Sequence, residues 1–490
     1  MKSDLLLIVP ILLPILTGLL TGFFRPLGKP RLLRPFFVLS LFLNLALVIA
    51  ISLMPEMRLA LFSLAQHMPV LFKADDPALF FCLLTSVMFL FAGIYGCEYM
   101  KHEGGESRFY MFFLIVLGML MGFGLSGNLI TVYIFFEIMT LFSVPLVMHS
   151  MKKEAITAGF KFLYYSIAGA ALAFVAILFL FTLGIPLEFT PGGVLNAVNV
   201  AGSERQILTV TLLAIIGFSA KAGMFPLHAW LPDAHPVAPA PASAILSGII
   251  TKAGVFAVLR FVFYLIGADF IRGSWVQTVW LSLALFTVAT GALLALREPV
   301  LKRRIAYSSI SQVSYIMFGL ATLTARGLTG ALLHTVFHSI MKHALFFAAG
   351  AIVMVTKRTE AAELRGIGKQ MPATMWSFAV LAISVAGIPL SSGFVSKWYI
   401  ATGALSAEIG FFAWLGPAIL LFSALLSTAY LLSIAIDALY DPEQRNAPGI
   451  RDPGMLMRAP IILFAAAAII LGVIPGFLIS FFETIAIAVT

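Results

Sequence analysis

Long apolar runs separated by short polar segments follow one another along almost the whole chain. About 20 residues are needed to cross roughly 30 Å of hydrocarbon, and about fourteen runs approach or exceed that length. Phe, Leu and Ile recur without a period-two alternation of polar residues, which indicates helices rather than barrel strands. The pattern therefore predicts an all-α polytopic membrane protein with about fourteen transmembrane helices. The predicted ranges are 5–24, 33–53, 77–97, 109–127, 129–149, 159–183, 207–231, 240–265, 276–296, 305–324, 328–356, 372–402, 411–436 and 459–482.

Composition supports a membrane protein, and the positions of the basic residues predict its orientation in the membrane. Of the 490 residues, 61% are hydrophobic and 11% are charged, against roughly 25% charged in soluble proteins. The net charge of +9 could suggest a nucleic-acid partner, but the bases cluster in alternate connecting segments, which is typical of cytoplasmic loops. We therefore expect no nucleic acid, a multi-pass protein of the cell (inner) membrane, and both termini on the non-cytoplasmic side. The clustered bases are Arg25, Lys29, Arg31, Arg34, Lys152, Lys153, Lys161, Arg297, Lys302, Arg303, Arg304, Lys357, Arg358, Arg365 and Lys369.

Motifs for redox cofactors or metals are weak in this sequence. Cys82 and Cys97 lack the paired spacing of a zinc or iron–sulfur site, and we expect them to be small core residues. The glycines of Gly122–Gly127 match a dinucleotide fingerprint, but no strand precedes them. We interpret them as helix-packing glycines and predict no cofactor in this chain.

The seventh run contains a cluster of prolines that a regular helix cannot accommodate. Five prolines occur from Pro226 to Pro241, and each removes a backbone donor and clashes with the preceding turn. We expect the helix to break there, just after Lys221. A broken helix at membrane depth is tolerated where it is buried in protein or lines a hydrated cavity, where its free carbonyls and amides can hold ions or water.

The twelfth run has a second interruption, at Gly387, Pro389 and Gly393 together with three serines. Here Lys397 follows the break, whereas Lys221 precedes the first one. Two broken helices with the lysine order reversed are what an inverted internal repeat would produce.

Charged residues also lie well inside apolar runs. A charge near the bilayer centre is unfavourable by at least a few kcal/mol, so such residues normally face a bundle interior and mark ion pathways. We expect Glu137 to pair with Lys221; the alternative is a static clamp, although a buried ion pair is a poor way to gain stability. Lys252 is too central in its run to reach either surface, which favours a wet interior where it can pass on a proton.

Three titratable residues of the eleventh run share one helical face. His334, His338 and Lys342 are spaced i, i+4, i+8. A metal site is less favoured, because no cysteine or carboxylate cluster completes a coordination shell. Histidine titrates near physiological pH and can relay protons, while packing histidines remain the alternative. His343 points away from this face and receives no role.

Three further polar residues lie near the cytoplasmic end of the broken seventh run. His228, Asp233 and His235 could line the inlet of a proton path. Equally, they could cap the irregular backbone that the prolines create.

A long motif resembles a known family. The run from Lys221 to His235 reads KAGMFPLHAWLPDAH, Thr251-Lys252-Ala-Gly254 follows, and residues 305–312 read IAYSSISQ. These segments resemble the antiporter-like subunits of respiratory complex I (NADH-quinone oxidoreductase), of Mrp-type multi-subunit cation/proton antiporters and of energy-converting membrane hydrogenases. The resemblance covers roughly residues 70–430.

The resemblance implies a fold of fourteen helices with two inverted five-helix repeats, in which helices 7 and 12 are broken. The implied divisions are three N-terminal helices in 1–107, a first repeat in 108–266, a second repeat in 267–437 and a last helix in 438–490. Lysine at position 397 departs from members with glutamate there and disfavours one complex I branch. The chain ends soon after the last run, so we expect no long lateral helix. The residues matching the family's central hydrophilic axis are Glu137, Lys221, Lys252, His334, His338 and Lys397.

Three functions follow as hypotheses. The favoured one is a proton-translocating subunit of an Mrp antiporter (D-type) or of its counterpart in a complex I-like or hydrogenase assembly, with other membrane subunits as partners and Na⁺ as a further candidate ion. The second is a middle-type proton-pumping subunit of NADH-quinone oxidoreductase. The third is a membrane anchor that conducts nothing. Whether the parent complex is an enzyme stays open.

Overall fold

The computed structural model describes residues 4–64, 68–196, 200–441 and 450–490. Within them the chain is a bundle of helices with one two-stranded sheet, so the predicted all-α membrane fold is confirmed. Short 3₁₀ turns at Arg25–Gly28, Ala361–Leu364 and Ile367–Lys369 join some helices. The helices are α1 (Asp4–Phe23), α2 (Pro30–Ser52), α3 (Asp76–Glu103), α4 (Glu106–Gly124), α5 (Leu129–Val147), α6 (Lys153–Thr182), α7 (Glu204–Ala222), α8 (Leu231–Val237), α9 (Ala240–Ile266), α10 (Ala268–Ile271), α11 (Trp275–Arg297), α12 (Leu301–Ala321), α13 (Ala325–Thr356), α14 (Pro372–Ala386), α15 (Ser392–Leu405), α16 (Phe412–Tyr440), α17 (Met455–Val473) and α18 (Gly476–Ile487).

All the predicted apolar runs are helical over most of their length. In the described part of the chain, 12 helices are long and apolar enough to cross a membrane by length and composition. The tenth run, α12, has a lower hydropathy because bases occupy its first turn and serines its middle. The twelfth run is divided into α14 and α15, each short of a full span.

Local sequence sets where several helices begin. Asp75 accepts a hydrogen bond from Ala78 N (3.2 Å) at the start of α3, and Asn128 accepts one from Thr131 N (2.9 Å) at the start of α5. Thr324 accepts one from Gly327 N (3.2 Å) at α13. These short polar side chains satisfy backbone donors that the first turn of a helix leaves unpaired.

Both predicted breaks are present. Gly223 (φ 81°) directly follows the last residue of α7, and helix resumes only at α8. Gly387 (φ 83°) directly follows the last residue of α14, and α15 begins at Ser392. Both glycines adopt the left-handed conformation that ends many helices, which a residue with a Cβ rarely adopts. The separation of α17 from α18 at Pro475 was not predicted.

A β-hairpin between α2 and α3 was also not predicted. Strand β1 (Arg58–Ser63) pairs antiparallel with β2 (Pro69–Lys73). The hairpin is attached to α5, because Leu71 N donates to Thr131 Oγ1 (2.9 Å) and Asn128 Nδ2 donates to Pro69 O (2.7 Å). Strands this short give a much weaker sequence signal than a span.

The centre of the bundle is built from α9 and α13. Every residue of α9 is buried, and so is nearly all of α13 from Gly327 to Ile352. By contrast, α1, α2, α6 and α17 expose many leucine, isoleucine and phenylalanine side chains. A helix that is apolar all round and exposed on one side is suited to lipid, so polar groups on α9 and α13 lie deepest in the protein.

Candidate functional site

The first broken helix places a lysine inside the bundle. Lys221 lies in the last turn of α7 and is fully buried. Its Nζ donates to Phe136 O (2.8 Å) and to Thr140 Oγ1, and it lies 3.8 Å from the centre of the Phe136 ring. Trp230 Nε1 donates to Ala220 O (2.9 Å), which satisfies one carbonyl that the break exposes.

The predicted pair of Glu137 and Lys221 interacts electrostatically but forms no salt bridge. Among the described residues no oxygen of Glu137 lies within 4.0 Å of the ammonium nitrogen, which instead contacts the carbonyl before Glu137 and the hydroxyl of Thr140. Successive helical residues point about 100° apart, so Glu137 faces another side of α5, half-buried. The two charges still interact through space, and Glu137 Oε1 is buried with no hydrogen-bond partner in the described chain.

Lys252 lies at the centre of α9 in a set of short polar contacts. A π-helical turn at Leu246–Ile250 comes directly before it. Its Nζ donates to Ser247 O (2.6 Å) and to Thr251 Oγ1 (3.3 Å), and it lies 2.5 Å from His338 Nδ1. The lysine on α9 and the histidine on α13 are thus joined directly.

The two histidines of α13 continue from this contact. The rings of His338 and His334 are stacked with their centroids 5.7 Å apart. His334 Nδ1 lies 2.8 Å from Ser396 Oγ on α15, and the His334 ring stacks on Tyr315 of α12 at 5.7 Å. The prediction that these histidines share one face of a helix is confirmed.

Lys397 occupies the second break. Its Nζ donates to Val385 O (2.6 Å) and Ala386 O (3.2 Å), the carbonyls that α14 leaves free at its end. The same nitrogen lies 4.9 Å from the centre of the Tyr315 ring. Lys397 therefore binds the carbonyls that a broken helix frees, as a cation at such a break is expected to do, whereas the carbonyl partner of Lys221 lies within α5.

A row of polar side chains lies between α9 and the second break. We call it the polar axis, and it consists of Lys252, His338, His334, Ser396, Tyr315 and Lys397. Lys252 contacts His338, the His338 and His334 rings stack, and His334 contacts both Ser396 and Tyr315; Lys397 lies beside the Tyr315 ring and next to Ser396 in the chain. Lys221 is separate, since none of its contacts among the described residues reaches Lys252.

Lys342 lies beside the polar axis. It is fully buried, and its Nζ donates to Ile305 O (3.2 Å) and Ser308 Oγ on α12. Its charge interacts with those of Lys252 and Lys397. His343 points elsewhere, with Nδ1 2.8 Å from Ser339 O and its ring against Phe464, as predicted.

The three predicted inlet residues have different surroundings. Asp233 is partly exposed and forms ion pairs with Lys161 (2.6 Å) and Arg303 (3.7 Å). His235 is fully buried against the Phe346 ring (4.5 Å), and neither of its ring nitrogens has a partner in the described chain. His228 is less buried and lies beside Phe225 (5.9 Å). Their role stays a prediction.

The sequence analysis missed one buried charge pair and misplaced one lysine. Arg260 of α9 is fully buried and donates to both carboxylate oxygens of Asp75, at 2.8 Å for Nη1. An arginine inside an apolar run just after Lys252 was the available signal. Lys302 was assigned to a basic loop, but it is only 8% exposed and donates to Ala238 O (3.1 Å).

Comparison with known proteins identifies relatives that include oxidoreductase and antiporter subunits. NADH-quinone oxidoreductase subunit N of Desulforudis audaxviator is 31% identical over 388 residues, which cover 77% of this chain and 73% of that protein. The D subunit of the Na(+)/H(+) antiporter of Bacillus subtilis is 29% identical over 408 residues, covering 81% of this chain and 80% of that protein.

A solved structure has the same fold. A chain of the Mrp complex from a Dietzia species superposes with a TM-score of 0.84 at 22% identity, covering 100% of this chain and 98% of that one. The family model described as NADH:quinone oxidoreductase/Mrp antiporter, TM, matches residues 126–426, a range that includes both breaks and the whole polar axis. The chain belongs to this NADH:quinone oxidoreductase/Mrp antiporter transmembrane family.

Proposed function

We propose that this chain is a proton-translocating membrane subunit of a multi-subunit ion-pumping complex, and that protons move along the polar axis. The observation that carries the proposal is the contact chain from Lys252 through His338 and His334 to Lys397. Buried charge without a partner of opposite sign is unfavourable in a scaffold. Its presence along a connected path favours transport.

The geometry indicates how a proton crosses. Lys252 gives its proton to His338 Nδ1, and the imidazolium passes a proton from Nε2 towards His334. The ring centroids are 5.7 Å apart, a separation that one bridging water can span. His334 then passes a proton through the Ser396 hydroxyl, which both donates and accepts, to the amine of Lys397. Each transfer leaves the donor neutral, but each histidine then carries its proton on the other ring nitrogen. The imidazole tautomers and the Ser396 hydroxyl must return to their starting state before the next proton moves in the same direction.

We propose that Lys221 and Glu137 bias this path electrostatically rather than conduct. Lys221 is held by Phe136 O and Thr140 Oγ1, and Glu137 has a free buried oxygen. A movement that brings the carboxylate to the ammonium would cancel both charges. In this proposal, less positive charge from Lys221 would then act on the polar axis, which favours a proton on Lys252.

We propose a D-type subunit of an Mrp cation/proton antiporter, or its counterpart in a complex I-like or hydrogenase assembly, as the parent complex. In that case Na⁺ is a coupled ion. The similar coverage of the antiporter and oxidoreductase relatives keeps a redox-driven pump as the second candidate, with any redox centre in a partner subunit. Mass spectrometry of the subunits that co-purify with the tagged chain separates them: an iron–sulfur or nickel subunit indicates redox coupling, and small membrane subunits alone indicate the antiporter.

We also propose that the chain resides in the cell (inner) membrane with both termini on the non-cytoplasmic side. The basic loops at 25–34, 152–161, 297–304 and 357–369 support this orientation, because cytoplasmic loops carry an excess of Lys and Arg. A reporter that is active only in the cytoplasm, fused at the C-terminus, should be inactive. Activity there would reverse the orientation.

The central experiment measures proton movement in inside-out membrane vesicles that contain the native complex. The Lys397→Met variant removes the amine at the second break while keeping the length of the side chain. We expect at least a tenfold loss of pH-gradient change, since positioned acid–base groups contribute about 10²–10⁴-fold to proton transfer. The control Lys369→Met removes an exposed lysine and should transport normally.

Assembly is checked in parallel by native gel electrophoresis of the solubilised complex. An intact complex that no longer transports supports the proposal. Normal transport by Lys397→Met would favour the anchor hypothesis and remove the polar axis from the mechanism.

A further inference from the structure

A small cavity lies between two loops at the end of the bundle where the basic loops gather. Its volume is about 200 Å³, and Pro236, Val300, Lys302, Val353 and Thr359 line it. Main-chain hydrogen bonds hold the two loops together, from Leu301 N to Thr359 O (2.9 Å) and from Ala361 N to Pro299 O (2.9 Å). Both loops belong to the basic set, so the cavity is on the side proposed to be cytoplasmic.

Lys302 is the one titratable side chain among these lining residues. It lies in the first turn of α12 and is 8% exposed. Its ammonium makes one hydrogen bond in the described chain, to Ala238 O (3.1 Å). An ammonium has three donors, so this lysine still has hydrogens to exchange with the cavity.

Hydrogen bonds lead inward from Lys302 to the main chain of His235. The Ser243 hydroxyl donates to His235 O (3.0 Å) and to Ala238 O (3.4 Å). Lys302 donates to the same Ala238 oxygen. His235 adjoins Pro236 of the cavity wall, and both its ring nitrogens are buried without partners among the described residues. The charge of His235 interacts with those of Lys302 and Lys342. An unpartnered buried imidazole that interacts electrostatically with both lysines is suited to carry a proton between them.

We infer that Lys302 is the proton-uptake group of a cytoplasmic inlet, which leads from this cavity through His235 to Lys342 and the polar axis. This inference rests on the proposed function. A proton from cavity water binds the lone pair of the neutral Lys302 amine. An inward N–H bond then breaks, the proton moves to a His235 ring nitrogen, and the amine is neutral again. Asp233 is less suited to this step, because Lys161 and Arg303 already neutralise its carboxylate.

Two substitutions of Lys302 separate proton uptake from packing. Lys302→Met removes the amine, and Lys302→Arg keeps the charge but cannot release a proton. In inside-out vesicles of the native complex, we expect both variants to slow transport by about tenfold or more. The control Lys357→Met removes an exposed lysine of the same loop region and should match the parent. Normal transport by Lys302→Met, or recovery in Lys302→Arg, would overturn the inference.

A second measurement does not depend on how the Lys302 variants fold. Val353→Cys places a thiol in the cavity wall, and a positively charged, membrane-impermeant thiosulfonate reaches the cytoplasmic face of inside-out vesicles. We expect labelling of this cysteine and at least a fivefold loss of transport from blocking the path, while the parent, whose Cys82 and Cys97 are buried, is unaffected. Labelling without loss of transport, or no labelling, would overturn the inlet.

The failure of the inlet is distinguishable from failure of the proposed function. If Lys397→Met abolishes transport while the Lys302 and Val353 experiments change nothing, the polar axis stands and the inlet lies elsewhere. If Lys397→Met transports normally, the proposed function fails with it.

Discussion

Replacing Lys252 by methionine should stop transport without destabilising the complex. The substitution keeps an unbranched side chain of similar length, so the buried site stays filled. It removes the ammonium that contacts Ser247 O, Thr251 Oγ1 and His338 Nδ1. The link between α9 and the histidines of α13 is lost with it.

The expected change in stability follows from these contacts. Ser247 O keeps a partner, because Thr251 Oγ1 also donates to it (2.6 Å). His338 Nδ1 loses its partner, and an unsatisfied buried polar group lowers the stability of a protein by about 1–3 kcal/mol. Against this, the substitution removes a buried ammonium whose desolvation is unfavourable by several kcal/mol. The sum predicts that the variant is as stable as the parent or more stable.

Transport should change much more than stability. Since a positioned acid–base group contributes about 10²–10⁴-fold, we expect the rate of pH-gradient change in inside-out vesicles to fall by about 100-fold or more. The melting temperature of the purified complex, followed by intrinsic fluorescence, should be equal to or above that of the parent. A clear drop in melting temperature would assign Lys252 a structural role, and normal transport would refute the reasoning outright.

Three further predictions concern the charges around the polar axis. Asp75→Asn breaks the pair with Arg260 and should destabilise the protein by about 3–5 kcal/mol, which thermal unfolding measures; an unchanged melting temperature would contradict this. Burial raises the pKa of Asp75, but the Arg260 charge and hydrogen bonds lower it below its ordinary value overall. This stabilisation should therefore be complete above about pH 4 and should be lost as the pH falls through the lowered pKa, where parent and variant converge; a gap that persists in acid would refute the assignment. Glu137→Gln leaves the Lys221 contacts in place, so we expect normal assembly. The loss of the carboxylate charge should slow transport about tenfold, which corresponds to about one pKa unit of lost electrostatic interaction. An unchanged rate would exclude a role for the carboxylate. Tyr315→Phe removes the Oη donor to a main-chain carbonyl (2.7 Å) but keeps the ring, so stability should fall by about 1 kcal/mol and transport should persist; a large loss of transport would show that the hydroxyl carries protons.

Much of this molecule follows from its sequence. The spans are predictable because a fixed hydrocarbon thickness demands a fixed length of apolar helix. The breaks are predictable because proline and left-handed glycine end helices wherever they occur. The shared face of His334, His338 and Lys342 needs only the helical repeat, and the structure has all three buried together.

The contacts between helices were decided by the tertiary structure alone. The partner of Lys252 is His338, 86 positions away, and the partner of Arg260 is Asp75, 185 positions away. Sequence periodicity places residues on a face of their own helix, but it does not give the rotation and axial offset of that helix against its neighbours.

The pair expected between Glu137 and Lys221 illustrates the difference. The sequence located both charges within spans, but one residue along α5 is a rotation of about 100°, and Lys221 contacts Phe136 O and Thr140 instead. Likewise, Lys302 is buried next to the pairing of loops 299–301 and 359–361, which the sequence did not predict. Composition and periodicity thus determined that buried charges exist, and packing between helices determined which of them meet.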